Sequence, residues 1–249
     1  MKNKFVIITG TNGGIGSALV KVYKNAGYKV IGIDKSISNS NSIVDHFIKI
    51  DLISILNSRE KSKLFFSKLD KIISTGILDT LVNNAAIQIL NPIGKLSLLD
   101  FSLTINTNTT IPFYLIKNLY DTLIKSKNAS VVNISSIHSN LTKPNFIAYA
   151  TSKSALSGMT KAMAIEFGKQ IRVNSISPAA ISTSMLKDGF VGKSELYNKL
   201  NKIHPVGRIG EPYEVAELSL FLSSDKAKFI NGANFEIDGG ISSRLYDPA

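Results

Sequence analysis

Tyr149 and Lys153 stand four residues apart within AYATSKSALSGMTKAMA, a run of good helix formers over residues 148–164. Four residues is just over one helical turn, so the phenol and the ammonium share a face. A free tyrosine, with a pKa of about 10, is a poor base at neutral pH. A neighbouring positive charge favours phenolate and draws the group toward the working range of an acid–base catalyst. Eight tyrosines among 25 lysines produce such a pair by chance about once per chain, so the pair needs context.

A second constellation lies near the start. IITGTNGGIGSAL places Gly10, Gly14 and Gly16 in the spacing G-x-x-x-G-x-G, between an apolar run and a helical pattern. Glycines so placed allow a tight turn, close backbone approach to a pyrophosphate, and close packing of the helix. Any tight strand-to-helix turn would use glycine too. Asp34 adds weight: it closes the next apolar run, VIGID, 18 residues beyond Gly16, where an acid reaches the ribose hydroxyls of a dinucleotide. A carboxylate there repels a 2′-phosphate, and no Arg or Lys lies between residues 9 and 16. NAD is therefore expected, with NADP as the alternative because Lys35 follows Asp34.

The elements that must position these residues alternate. KFVIIT, KVIGI, FIKI, LDTLV, ASVVNI, IRVNSI and ANFEI read as buried or half-buried strands, and residues 15–26, 58–73 and 213–223 have helical periodicity. Alternation of this kind predicts βαβ units and a parallel sheet covered on both faces. No repeat or linker divides the chain, so one α/β domain over residues 1–249 is expected, with the Ser/Asn-rich KSISNSNS as a loop. Residues 179–210 are irregular, carrying Gly189, Gly192, Pro205, Gly207 and Gly210, with one short helical pattern over 194–202. So long a connection is usually functional, and a substrate lid is the expected use.

Composition narrows the function classes. The net charge is +11, but 25 of the 29 basic residues are Lys, scattered from Lys2 to Lys228 without a run of three. Nucleic-acid readers concentrate charge and rely on Arg forks, so no nucleic-acid partner is expected. With no cysteine there is no thiol nucleophile, disulfide or cysteine-ligated zinc. The apolar run at residues 5–8 is too short for a signal peptide, and no stretch reaches the 18 apolar residues of a membrane span. A cytoplasmic protein without a membrane partner is expected. His46 and His204 carry no readable chemistry, and no His/acid cluster has metal-ligand spacing, so no catalytic metal is expected.

With these residues in hand, the chain resembles the short-chain dehydrogenase/reductase family along nearly its whole length. The resemblance rests on TGTNGGIG (residues 9–16), DL (51–52), NNAA (83–86), NISS (133–136), YATSK (149–153), SPAAISTSM (177–185) and FINGANFEIDGG (229–240). It implies a Rossmann-type, doubly wound sheet of seven parallel strands and a homotetramer or homodimer. It assigns cofactor binding to Gly10, Asn12, Gly13, Gly14, Ile15, Gly16, Asp34, Asp51, Leu52, Asn84, Tyr149, Lys153, Pro178, Ile181 and Thr183. Ala86 and Ala179 replace glycines usual in the family, each adding a methyl near the cofactor.

The resemblance also implies roles. Tyr149 is the acid and base, Lys153 holds the ribose hydroxyls, and Ser136 holds the substrate oxygen. Ser135 competes with Ser136, but strand alternation separates their faces and the family spacing selects Ser136. Asn108, preferred over Asn106, would anchor a water beside Lys153. Gln88 and His138 are candidates for the substrate pocket. In 3-hydroxybutyrate dehydrogenases a Gln and a His at these places bind a carboxylate together with a Lys, and Phe146 occupies that Lys position here. The expected activity is hydride transfer between NAD(P) and a secondary alcohol or ketone of a small polar substrate: a sugar, a polyol or a hydroxy acid. The alternatives are a 3-oxoacyl-[acyl-carrier-protein] reductase and a catalytically silent nucleotide-binding protein.

Overall fold

Runs of Val and Ile become strands that are buried on both sides, as a central parallel sheet requires. The computed structural model describes residues 4–37 and 43–245, so residues 38–42 of the Ser/Asn-rich loop lie outside the described residues. Seven strands form: β1 (Lys4–Thr9), β2 (Tyr28–Asp34), β3 (His46–Lys49), β4 (Thr80–Asn83), β5 (Ala129–Ile134), β6 (Ile171–Pro178) and β7 (Asn234–Ile237). They lie in the order β3-β2-β1-β4-β5-β6-β7, and every neighbouring pair is parallel. All seven fall on the apolar runs.

The helices are α1 (Gly14–Asn25), α2 (Ile53–Asn57), α3 (Arg59–Ile72), α4 (Leu98–Ile105), α5 (Ile111–Leu123), α6 (Ile147–Phe167), α7 (Ser184–Asp188), α8 (Ser194–Ile203) and α9 (Pro212–Ser223). Alternation along β1 sends Val6 and Ile8 to one face and Phe5 and Ile7 to the other. On the first face Leu19, Val20 and Tyr23 of α1 meet Val215 and Leu222 of α9. On the second, Phe65 and Leu69 of α3 and Leu115 and Leu119 of α5 pack over Ile31, Leu81, Val131 and Val173. Both layers are closed to water, so polar chemistry is pushed to the ends of the strands.

The strand order reverses beside β1, which pairs with β2 on one side and β4 on the other. In open α/β sheets the crevice at the carboxyl ends of such strands is where ligands bind. The glycine turn after β1 and the Asn-rich segment after β4 meet there.

Two features depart from the sequence patterns. A π turn over Asn106–Thr110 joins α4 to α5 without a break in the helical path. Residues 179–210 hold α7 as well as the expected short helix α8. The two ends of this excursion are clipped together: Ile181 bridges to Gly210, Ser182 N–H donates to the Gly210 carbonyl at 2.8 Å, and Gly210 N–H donates to the Ala180 carbonyl at 2.9 Å. Between the clips, α8 buries none of its residues.

Candidate active site

Three glycines of the first turn are held by close approaches. Gly10 has φ +70°, and a Cβ there would lie 2.9 Å from the Ala85 Cα. A Cβ on Gly16 would collide with the Gly10 carbonyl oxygen, and one on Gly14 would lie 2.7 Å from the Thr183 methyl. The Asn84 amide donates to the carbonyls of Thr9 at 2.9 Å and Gly10 at 3.0 Å, so Asn84 shapes the turn from the next strand. Gly13 precedes α1 without a side-chain cap, and the first turn of α1, with Ile15, carries no acid. Its leading N–H groups and the positive end of its dipole are thus left for an anion.

Asp34 ends β2 beside this turn. Its Oδ2 accepts the Asn12 N–H at 3.0 Å and its Oδ1 accepts the Ser36 N–H at 3.1 Å, while Asn12 Nδ2 donates to the Ser36 carbonyl at 2.6 Å. The acid therefore also braces the loop. Asp51 is exposed and accepts the Ile53 N–H at 3.0 Å, whereas the Leu52 side chain is buried in the core. Pro178 ends β6, Ile181 is buried in the layer with α1, and the Thr183 Oγ1 accepts the Leu186 N–H at 3.3 Å. An open helix terminus, backbone bared by glycine and an acid at the end of β2 fit a dinucleotide.

Ser136, Tyr149 and Lys153 meet at the end of β5. Strand alternation does separate the two serines. Ser135 turns into α6, donating to the Lys153 carbonyl at 3.2 Å and pairing with Ser157 Oγ at 2.9 Å. Ser136 stands close enough to Tyr149 to lower its pKa, and its Oγ accepts the His138 N–H at 3.2 Å. Lys153 is 2% exposed; its Nζ donates to the Ile134 carbonyl at 2.7 Å and stands 5.7 Å from the Tyr149 ring centroid.

Burial raises the Tyr149 pKa, and Ser136 beside it works against that rise. Burial also pushes Lys153 down, to about 7. The phenol is the resting form.

Asn108 is buried in the π turn, with its Oδ1 accepting the Ile87 N–H and its Nδ2 donating to the Ile87 carbonyl and to Ser152 Oγ, each at 2.9 Å. Asn106 instead accepts from Thr110 Oγ1 at the exposed side. Geometry thus favours Asn108, one residue of α6 away from Lys153. Gln88 is exposed just beyond Ile87, and His138 lies against Phe146 and Tyr149. Spacing did not single out Ser152, whose hydroxyl links Asn108 to the Tyr149 carbonyl. A cavity of about 650 Å³, lined by Phe5, Lys29, Asp45, His46, Lys68 and Lys71 among others, opens at the amino-terminal ends of β1–β3, away from this site. Among the described residues no cluster of His and acids could hold a metal ion, and no helix is long and apolar enough to cross a membrane.

A family model described as enoyl-(acyl carrier protein) reductase matches residues 10–242. The chain belongs to the short-chain dehydrogenase/reductase family. This oxidoreductase chain is 33% identical over 247 residues to 3-oxoacyl-[acyl-carrier-protein] reductase FabG of Thermotoga maritima, covering 97% of the chain and 98% of the relative. The ligand-free aldohexose dehydrogenase of Thermoplasma acidophilum superposes with a TM-score of 0.90 at 31% identity, covering 99% of this chain and 97% of that one. A 4-hydroxyisoleucine dehydrogenase complexed with NADH superposes with a TM-score of 0.86 at 34% identity, covering 98% of this chain and all (100%) of that one. A short-chain dehydrogenase/reductase takes a nicotinamide cofactor, and the open glycine turn is where its pyrophosphate fits.

The buried lysine makes stability depend on pH. Its folded pKa, about 7, lies below its ordinary 10.5. Between those values the unfolded chain binds the extra proton, so stability from this residue rises with pH, and the penalty is complete below pH 7. In urea unfolding, wild type should gain on Lys153→Met between about pH 7 and 9.5, by up to about 1.4 kcal/mol per pH unit. A flat difference across that window would mean that the ammonium is solvated.

Proposed function

We propose that the protein is an NAD-dependent oxidoreductase that interconverts a secondary alcohol and a ketone on a small polar substrate: a sugar, a polyol or a hydroxy acid. The observation that carries this reading is the meeting of Ser136 and Tyr149 at the end of β5, with Lys153 buried one turn along α6. The alcohol loses a hydride and a proton, and the ketone gains both. The nicotinamide supplies the hydride acceptor or donor. Tyr149 moves the proton: as a resting phenol it is ready to protonate the oxygen of a ketone as hydride arrives. In the other direction it must first become phenolate, and Lys153, with a pKa of about 7, can pass that proton on near neutrality. Ser136 donates to the substrate oxygen while charge develops there. Asn108 fixes the α6 segment that carries both reactive side chains.

The names of the aldohexose and 4-hydroxyisoleucine enzymes support a polar hydroxylated substrate. The similarity to FabG supports a second reading, reduction of a 3-oxoacyl thioester on a carrier protein with NADPH. Scattered lysines and the lack of a long apolar helix among the described residues support a cytoplasmic enzyme without nucleic-acid or membrane partners. Exposed Phe113 and Ile165 support assembly into a homodimer or homotetramer, which light scattering on the purified chain would read directly.

Three measurements test the reading. Tyr149→Phe keeps the ring and should lose at least ~10²-fold in turnover on a ketone that the wild type reduces. A near-normal rate with cofactor still bound would remove Tyr149 from the proton path. Asp34→Ala removes both the acid and the Asn12 brace, so the preference for NADH over NADPH should shrink by about tenfold or more. A wild type that already prefers NADPH would favour the carrier-protein reading. Residues 179–210 act as a lid in this proposal, clipped at both ends, with α8 between the clips burying none of its residues. Amide exchange there should slow when NAD and a substrate analogue bind. Full protection before ligand is added would make the segment a fixed wall.

A further inference from the structure

The cavity of about 650 Å³ at the amino-terminal ends of β1–β3 takes no part in the chemistry above. It lies at the other end of the sheet from the glycine turn. Strand register builds one wall: Phe5 of β1 pairs with Lys29 of β2, and Ile31, two residues on, pairs with His46 of β3. Alternation sends Lys29 to the same face as Ile31 and Ile33, which belong with Phe5 to the apolar layer under α3. A lysine thus stands in line with core positions. Lys68, Lys71 and Ile72 of α3 close the other side.

The charges in this wall do not balance. Three lysines face one aspartate, and that aspartate is spent. The Asp45 carboxylate accepts Lys24 Nζ at 2.9 Å, Lys29 Nζ at 3.3 Å and the Val30 N–H at 2.7 Å. Asp79, just before β4, is occupied by the Phe5 N–H at 2.9 Å and by Ser126 Oγ at 2.7 Å. Among the described residues neither Lys68 nor Lys71 pairs with a carboxylate. They lie three residues apart on α3, so they share a side of the helix and repel. Lys71 sits in the last turn and answers the negative end of the helix dipole, whereas Lys68 lies outside that turn. Lysines on a convex surface diverge into water. These line one concavity, where their repulsion falls only if an anion enters.

We propose that this cavity binds a small phosphorylated metabolite, with its phosphate at Lys68 and Lys71 and its organic part along Phe5 and Ile72. Small-molecule sites span about 300–1,000 Å³, far more than a bare phosphate fills, and this cavity falls in that range. Lysine meets a phosphate as a point charge, and a phosphate monoester, with a second pKa of about 6, is mostly a dianion at about pH 7.5. Phe5 and Ile72 give the organic part an apolar wall that inorganic phosphate leaves unused. The site does not depend on the oxidoreductase reading.

Phenyl phosphate is the probe, and the ring-proton NMR signal of His46 is the reporter, because His46 lines this cavity and lies far from the glycine turn. The chain has three histidines, so the signal lost in His46→Ala assigns it. At constant pH and low salt, phenyl phosphate should shift this signal saturably with a Kd below about 1 mM, and inorganic phosphate should bind about tenfold more weakly or worse. In Lys68→Gln/Lys71→Gln the Kd for phenyl phosphate should rise about tenfold or more. Both lysines are exposed, so this variant should keep the wild-type circular dichroism. Lys68→Gln alone should raise the Kd about threefold, which keeps the test open if the pair does not fold. A His46 signal unmoved by about 10 mM phenyl phosphate would overturn the site. An unchanged Kd in the lysine variants would overturn the assignment of the phosphate to Lys68 and Lys71. Phenol acting as well as its phosphate would make the cavity a plain apolar pocket. Inorganic phosphate binding as tightly as the ester would overturn the metabolite and leave an adventitious ion only.

Discussion

The face of α6 that carries Tyr149 and Lys153 is polar and buried at once, and hydrogen bonds rather than apolar packing hold it. Ser152 pairs with Asn108, Lys153 with the Ile134 carbonyl, Ser157 with Ser135, and Thr160 with Asn133, which in turn accepts from Asn83. Leaving any of these groups unpaired inside the protein would cost about 1–3 kcal/mol. Rotating α6 by one residue would orphan all of them together. Apolar contacts tolerate small slides of a helix, whereas this seam fixes the register that brings the phenol to Ser136.

The same seam buries the amine. A helix hydrogen-bonded along the end of β5 leaves Lys153 2% exposed, so the amine loses hydration and its pKa falls. Tyr149 is pushed the opposite way, because the form that burial disfavours in a phenol is the anion. Both groups are therefore held toward neutrality, and a proton passing between them changes charge in a low-dielectric setting. The stability that this arrangement costs is offset by the two apolar layers on the faces of the sheet.

Much of the fold was legible because central parallel strands are continuous runs of Val and Ile, whatever else surrounds them. Alternation separated the faces of Ser135 and Ser136, the family spacing chose between them, and the apolar run VIGID marked Asp34 as the end of β2. The π turn was not: NTNTT has no apolar period, and only the widened helical turn sends Asn108 inward. Likewise, spacing showed that Lys153 neighbours Tyr149 but not how little water reaches either, so the direction of the phenol's shift had to come from burial. Asn145, which takes a positive φ, is of a type that adopts that region more readily than most, but nothing in the sequence marks which Asn will do so.

Gly13 sharpens the reading of the glycine turn. Its φ of −72° and ψ of 163° are open to any residue, and a Cβ there would meet nothing closer than the Gly10 carbonyl oxygen at 3.5 Å. Neither backbone freedom nor space requires glycine. A Ser at this position would cap α1, as Ser58 caps α3 and Ser97 caps α4. The chain forgoes that cap at a cost of a few tenths of a kcal/mol. A capping oxygen would occupy the same N–H groups that a pyrophosphate needs, and an acidic one would repel it. Leaving α1 open thus gives up a little stability to keep its donors unspent, at a helix terminus that follows β1, where the strand order reverses.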